Sequence, residues 1–220
     1  MWRKDIESQE FERSLLSNDI DIRVSGLIDN LDVKGKKTLE IGCLDGFHTR
    51  QLAEAGAIVT TTDIRPEGLK RALYRCLYFD INNVNFRILD MDNMHEVIGL
   101  NEFNVCFHSG CFYHIQNPVK HLFDIAPLFE YVLLETHLAN PNKYSIGTLE
   151  YNDKIYNGTL YPEGEWSDLR AAKNNKFSFW LTKESLLQLF KDCNLEVVKT
   201  VYDNFPNEHG PRACYLLKRS

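Results

Sequence analysis

The stretch from Lys37 to Asp63 constrains this chain more than any other. Thr38-Leu39-Glu40-Ile41-Gly42 is a short apolar run that ends on glycine, His48 to Ala55 carries helical spacing and stops at Gly56, and Ala57 to Thr62 is a second run, rich in β-branched residues, that ends at Asp63. Strand-length and helix-length segments that alternate this way are the signature of a mostly parallel α/β sheet. The alternation continues. Pro66 to Leu77 reads as a helix with proline in its first turn. Val84 to Leu89, Phe103 to Phe107 and Tyr131 to Glu135 read as further strands, separated by helical segments at Met94 to Leu100 and Val119 to Phe129.

After Glu135 the regularity fails, and 137–176 reads as an irregular insertion rich in Asn, Gly, Pro and Tyr. A loop of that length in one domain is usually functional or disordered, and Tyr144, Tyr151, Tyr156, Tyr161 and Trp166 favour an ordered cover over an acceptor. Thr182 is placed to cap a helix over Lys183 to Asp192, with Ser185 near N3. Glu196 to Tyr202 and Ala213 to Leu217, with no helix between them, read as a terminal antiparallel hairpin. Residues 5–30 carry a helical pattern through Phe11, Leu15, Leu16, Ile22, Val24, Leu27 and Ile28, expected to pack across the open edge of the sheet. The chain thus divides into a helical segment, 1–36, and an α/β domain, 37–220, with 137–176 inserted after the fifth strand. At 220 residues it has room for one such domain and little more.

Charge and cysteine content narrow the class. The net charge of −6 disfavours a nucleic-acid partner and leaves a small-molecule one preferred. No run approaches the roughly 18 apolar residues of a membrane span, and the first residues do not read as a secretion signal, so a cytoplasmic location is expected. Cys43, Cys76, Cys106, Cys111, Cys193 and Cys214 form no C-x-x-C pair and read as reduced core residues. His108, His114, His121 and His137 show no metal-ligand spacing, so no metal is expected. The oligomeric state is left open.

The chemistry concentrates at Glu40-Ile41-Gly42-Cys43-Leu44-Asp45-Gly46, a turn between strand and helix, with Asp63 at the tip of the next strand. Glycines there let backbone approach a ligand, and a carboxylate at that tip can accept from both hydroxyls of a ribose. A nicotinamide site would carry a glycine where Glu40 stands. An acid at that position suits a ligand that is positively charged nearby and lacks a pyrophosphate.

In these residues the chain resembles the class I S-adenosylmethionine-dependent methyltransferases over roughly residues 37–135. The resemblance implies a Rossmann-like seven-stranded sheet with helices on both faces, and S-adenosylmethionine as cofactor with S-adenosylhomocysteine as product. It further implies that Gly42, Cys43 and Gly46 line the methionine part, that Glu40 orders the turn, and that Asp63 with Ile64 holds the ribose. Asp90-Met91 would clamp the adenine, and Ser109-Gly110 would complete the cofactor site after the fourth strand.

A narrower resemblance runs through Phe107-His108-Ser109-Gly110-Cys111-Phe112-Tyr113-His114, Leu133-Leu134-Glu135-Thr136 and Phe177 to Thr182. These segments look like the tRNA wobble-uridine carboxymethyltransferase branch, whose cofactor is carboxylated and whose tyrosine, here Tyr113, helps receive the added carboxylate. Arg212 stands in a different context from that branch's late arginine. Tyr113, His114 and His137 are the candidate catalytic residues, the histidines as bases for a hydroxyl acceptor. The preferred reading is methyl transfer to an oxygen or nitrogen of a small molecule. Its rivals are modification of the tRNA wobble uridine and a cofactor-binding subunit with no chemistry of its own.

Overall fold

The computed structural model describes residues 15, 17, 19–165, 171–172 and 175–220. Phe11, Leu16 and Trp166, named above, lie outside the described residues. Strands β1 (Lys37–Ile41), β2 (Ile58–Asp63), β3 (Val84–Ile88), β4 (Val105–His108) and β5 (Tyr131–His137) pair in parallel. At the other end β9 (Leu195–Phe205) and β10 (Arg212–Arg219) form the expected antiparallel pair, and β10 joins β5. The sheet order is β3-β2-β1-β4-β5-β10-β9, so the direction of strand addition reverses between β1 and β4. Loops leaving the carboxyl ends of these two strands diverge to opposite faces, and such a crevice is where open α/β sheets bind ligands.

Helices cover both faces because neighbouring residues of the central strands point in opposite directions. Leu39, Cys106, Val132 and Leu134 pack with α5 (Pro118–Ile125) and α6 (Lys183–Asp192), through Val119, Leu122, Leu186 and Phe190 among others. Val59, Val105, Phe107, Leu133 and Leu216 pack on the other side with α1 (Ile22–Ile28) and α2 (Phe47–Glu54), through Val24, Leu27, Leu52 and Ala53. The α1 helix therefore lies on a sheet face near β9 and β10, where a Cβ on Gly26 would come within 2.5 Å of Val201, and not across an edge as expected. Helix α3 (Pro66–Tyr78) carries the expected proline at its start, whereas α4 is a single turn, Met94–Val97, that follows a 3-10 turn at Met91–Asn93. Thr182 caps α6 as expected, its hydroxyl accepting from the Ser185 amide at 3.2 Å.

The insertion is more regular than its composition suggested. Strands β6 (Ser145–Tyr151), β7 (Lys154–Pro162) and β8 (Phe177–Leu181) form a separate antiparallel sheet in that order. Asn152 and Asp153 form the two-residue turn between β6 and β7, both with positive φ (51° and 58°). Such a turn matches the twist of a hairpin, and Asn and Asp tolerate it better than most residues. Tyr156, Phe179 and Leu181 tie this second sheet to the apolar core beneath α5 and α6.

Candidate cofactor and acceptor site

The turn after β1 is held from below. Gly42 and Gly46 have φ of 71° and 76°, and a Cβ on Gly46 would lie 2.6 Å from the Ala72 Cα, so α2 can start there only with α3 pressed against a glycine. Arg75, whose side chain is fully buried, donates to both the carbonyl and the carboxylate of Asp45, each at 2.9 Å. Glu40 is 1 % exposed, and its Oε2 accepts from the hydroxyls of Thr49 and Thr61. It thus joins β1, α2 and β2 beneath the turn, while its Oε1 has no hydrogen-bond partner and burial pushes its carboxyl above the usual range. Cys43 is buried as well, and burial pushes its thiol well up.

Asp63 closes the adjacent strand. Its Oδ2 accepts from the Leu44 amide (3.0 Å) and its Oδ1 from the Arg65 amide (2.8 Å), and the Ile64 backbone also bonds to the carboxylate. Burial pushes its carboxyl up, against the pull of those amides. Leu44, Asp63, Arg65, Gly68 and Arg71 line a cleft here, beside the half-buried Ile64. Asp90 caps the turn after β3 by accepting from the Asp92 amide at 3.2 Å, and Met91 rests against the core.

At the end of β4, Ser109 accepts from Arg23 Nη1 (3.2 Å), and the Gly110 amide donates to Glu135 Oε2 (2.9 Å). Gly110 has φ of 79°, and a Cβ there would meet nothing within 4 Å, so its backbone borders open space. Glu135, on β5 and fully buried, takes Nε and Nη2 of Arg212 at 2.5 and 2.8 Å. Arg212 in turn stands 5.6 Å from the centre of the Tyr113 ring. Set aside on its sequence context, Arg212 stands beside the candidate residues, and the signal for it was topological: an antiparallel last strand begins where the parallel strands end.

Tyr113 lies between two imidazoles, with ring centres 4.5 Å from His114 and 4.7 Å from His137. Trp180 of β8 donates to the Tyr113 carbonyl (2.7 Å) and stacks with both His137 (4.5 Å, 10°) and Tyr161 (4.2 Å, 11°). His137 donates from Nδ1 to the Gly210 carbonyl (3.1 Å); burial, aided by Arg212, pulls its pKa down to about 4, so the ring is neutral at pH 7. His114 Nδ1 lies 3.0 Å from both oxygens of Glu163, a residue that the sequence reading missed.

Beneath the site runs a buried polar chain. Cys111 Sγ is 3.3 Å from His108 Nδ1, His108 Nε2 is 3.1 Å from His121 Nε2, and His121 is bonded to the Met91 backbone. Only one of two facing nitrogens can carry the proton, so the two rings cannot both be charged. Burial pulls His121 down to about 4 and His108 further down. Among the described residues no group of three or more His, Cys, Asp and Glu side chains is placed to hold a metal ion, and no helix is long and apolar enough to cross a membrane.

The C-terminal ends of β1 to β5 thus gather every candidate: the turn with Gly42 and Gly46, Asp63, Asp90, Ser109 and Gly110 along the first four, and Tyr113, His114 and His137 beyond β4 and β5. Glu40 and Cys43 lie beneath this rim. Known proteins are similar to the chain in sequence and fold. The tRNA U34 carboxymethyltransferase of Pseudomonas fluorescens (strain Pf0-1) is 25% identical over 153 residues, which are 68% of this chain and 44% of that protein. The chain therefore spans less than half the length of this relative. The N-terminal domain of EvdMO1 with SAH bound superposes with a TM-score of 0.71 at 23% identity, covering 94% of this chain and 83% of that one. The same domain in the presence of SAH and D-fucose gives 0.71 at 20% identity, over 100% and 97%. Magnesium protoporphyrin IX methyltransferase from Synechocystis PCC 6803 gives 0.63 at 14% identity, over 99% and 98%. The family described as methyltransferase domain matches residues 32–142, just over half of the 220, and the chain belongs to it, as a class I S-adenosylmethionine-dependent methyltransferase domain.

Proposed function

We propose that the domain methylates a hydroxyl oxygen of a small-molecule acceptor. The observation that carries this reading is the Tyr113 ring set between two imidazoles, 4.5 Å from His114 and 4.7 Å from His137, in the segment that follows the open backbone of Gly110. A hydroxyl must lose its proton as its oxygen is alkylated, so it gains from an imidazole at hand, whereas an amine that is already a good nucleophile needs none. The EvdMO1 domain studied with D-fucose is a relative whose recorded small molecule is rich in hydroxyls.

The residues present suit the cofactor. Asp63 presents a carboxylate, fixed by backbone amides, to the ribose hydroxyls, and Gly110 leaves room for close approach of a ligand to backbone. When bound, S-adenosylmethionine supplies an electrophilic methyl group, and the electron pair of the broken S–C bond stays on sulfur. The protein's part is to hold the acceptor in line and to take its proton. His137, already donating from Nδ1 and stacked on Trp180, is the more enclosed imidazole, which leaves His114 as the base. The Tyr113 ring between them forms one wall of the acceptor space.

Calorimetric titration with S-adenosylhomocysteine tests the cofactor half. Micromolar binding is expected in the wild type, with a loss of at least about 10-fold in Asp63→Ala, since charge-assisted hydrogen bonds to both ribose hydroxyls are removed. An unchanged affinity would remove Asp63 from the site. A panel of hydroxylated acceptors, assayed with labelled S-adenosylmethionine, tests the other half: His114→Gln should lower kcat about 100-fold. Cofactor binding without turnover of any acceptor would favour the non-catalytic subunit instead.

One observation favours a second reading. Arg212 and Tyr113 stand together at the rim, as a carboxylated cofactor would require, and the curated relative is named for carboxymethyl transfer to tRNA. Against it, Arg212 is already paired with Glu135, and Arg23 with Asp21, so neither charge awaits a carboxylate. Titration with the carboxylated cofactor separates the two, because the second reading requires it to bind more tightly than S-adenosylmethionine.

A further inference from the structure

Glu163 stands just past β7, and its side chain is 1 % exposed. A carboxylate so buried needs donors, and the described residues supply three: the His114 Nδ1 at 3.0 Å, the Ser178 hydroxyl and the Ala172 amide at 3.2 Å. A carboxylate can only accept, so the nitrogen that faces both its oxygens, Nδ1, carries the His114 proton. The ring has little freedom to turn away. The His114 amide donates to the Cys111 carbonyl (3.0 Å), its carbonyl accepts from Asn175 Nδ2 (2.7 Å), and the preceding carbonyl of Tyr113 accepts from Trp180. Two of these anchors, like Glu163, come from the chain between β5 and α6 and not from the seven-stranded sheet.

We propose that Glu163 is the positioning residue for His114, fixing the proton on Nδ1 so that Nε2 is the nitrogen that takes the acceptor's proton. The inference rests on the hydroxyl-methylation reading above. As the acceptor oxygen forms its bond to carbon, its O–H bond breaks and the proton passes to Nε2. The imidazolium so formed keeps its Nδ1–H bond to the Glu163 carboxylate and then releases the Nε2 proton to water. Without Glu163 the ring distributes its proton between both nitrogens, and the fraction with Nε2 free falls. The second sheet thereby supplies a working part of the site as well as a wall.

Nitrogen-15 NMR of histidine-labelled protein reads the tautomer directly and needs no acceptor, with His114→Gln used to assign the signal. The wild type should show a single tautomer, protonated on Nδ1, and Glu163→Gln should lose that preference while Glu163→Asp keeps part of it. With a hydroxyl acceptor in hand, Glu163→Gln should lower kcat about 100-fold, leave KM and S-adenosylhomocysteine affinity within about 2-fold, and cost nothing further in a His114→Gln background. A wild-type ring protonated on Nε2, or losses that multiply in the double variant, would overturn the proposal. The stated tautomer in an enzyme that methylates no hydroxyl would instead overturn the hydroxyl reading.

Discussion

Arg212→Ala is expected to melt about 10 °C below the wild type. Glu135 is fully buried on β5, and Arg212 is its bidentate partner; what remains among the described residues after the substitution is the Gly110 amide and Arg23, whose Nη1, 3.9 Å away, donates to Ser109 while its Nε and Nη2 bind Asp21. Removing one member of a buried ion pair costs about 3–5 kcal/mol, because the other charge is left in a poorly polar interior. For a chain of this size each kcal/mol is worth roughly 2–4 °C. The double variant Glu135→Gln/Arg212→Met should recover most of the loss, since no charge is then left unpaired. Thermal scans of the three proteins check this, and a single variant within about 1 kcal/mol of wild type would show that the pair does not anchor the rim.

Acid should weaken the fold well before the carboxylates titrate. In the unfolded chain a histidine takes up its proton near pH 6.5, whereas His121 and His137 resist it in the folded chain down to about 4, and His108 further. Between those limits the unfolded state binds more protons, so stability is fully present above pH 6.5 and drains away as pH falls toward 4. By pH 5 each of the three withholds on the order of 2 kcal/mol. Glu40 and Asp63, whose carboxyls are pushed up by burial, work in the opposite direction. Urea unfolding at pH 7.5 and pH 5 should therefore differ by several kcal/mol, and His137→Gln should flatten the profile by one histidine's contribution. Equal stability at the two pH values would mean that the buried rings are already charged.

Parallel strands such as β1 and β2 were legible because they are short runs bounded by a glycine or an acid; Gly42 and Asp63 mark two such ends. The rim followed from them, since residues at strand ends of a parallel sheet share one edge. The second sheet was not legible for a physical reason: the β6 burial pattern alternates between exposed and half-buried residues, so Ser145–Tyr151 lacks the apolar alternation that marks a core strand. Asn152-Asp153 was the available signal, a hairpin turn read as part of a polar loop. Glu163 was hidden for the same reason, since only the pairing of β7 with β8 sets it beside Ser178 and His114. Arg23 and Arg212 come from the two ends of the chain and meet at Glu135 through tertiary packing alone.

The chain departs after β5 and comes back to the start of α6 at almost the same point, for the Ala139 amide donates to the Leu181 carbonyl at 2.9 Å. Whatever lies between these residues is an excursion whose two stems are already clasped. Lengthening it, trimming it or exchanging it for another excursion leaves the stem spacing intact, and so leaves the strand order of the larger sheet undisturbed. The requirement on a replacement is modest: an apolar underside equivalent to Tyr156 and Phe179, and a carboxylate where Glu163 stands. Substrate preference can therefore drift or be grafted in this half of the molecule while the nucleoside half stays as it is, which makes the clasp a natural crossover point for building chimaeras.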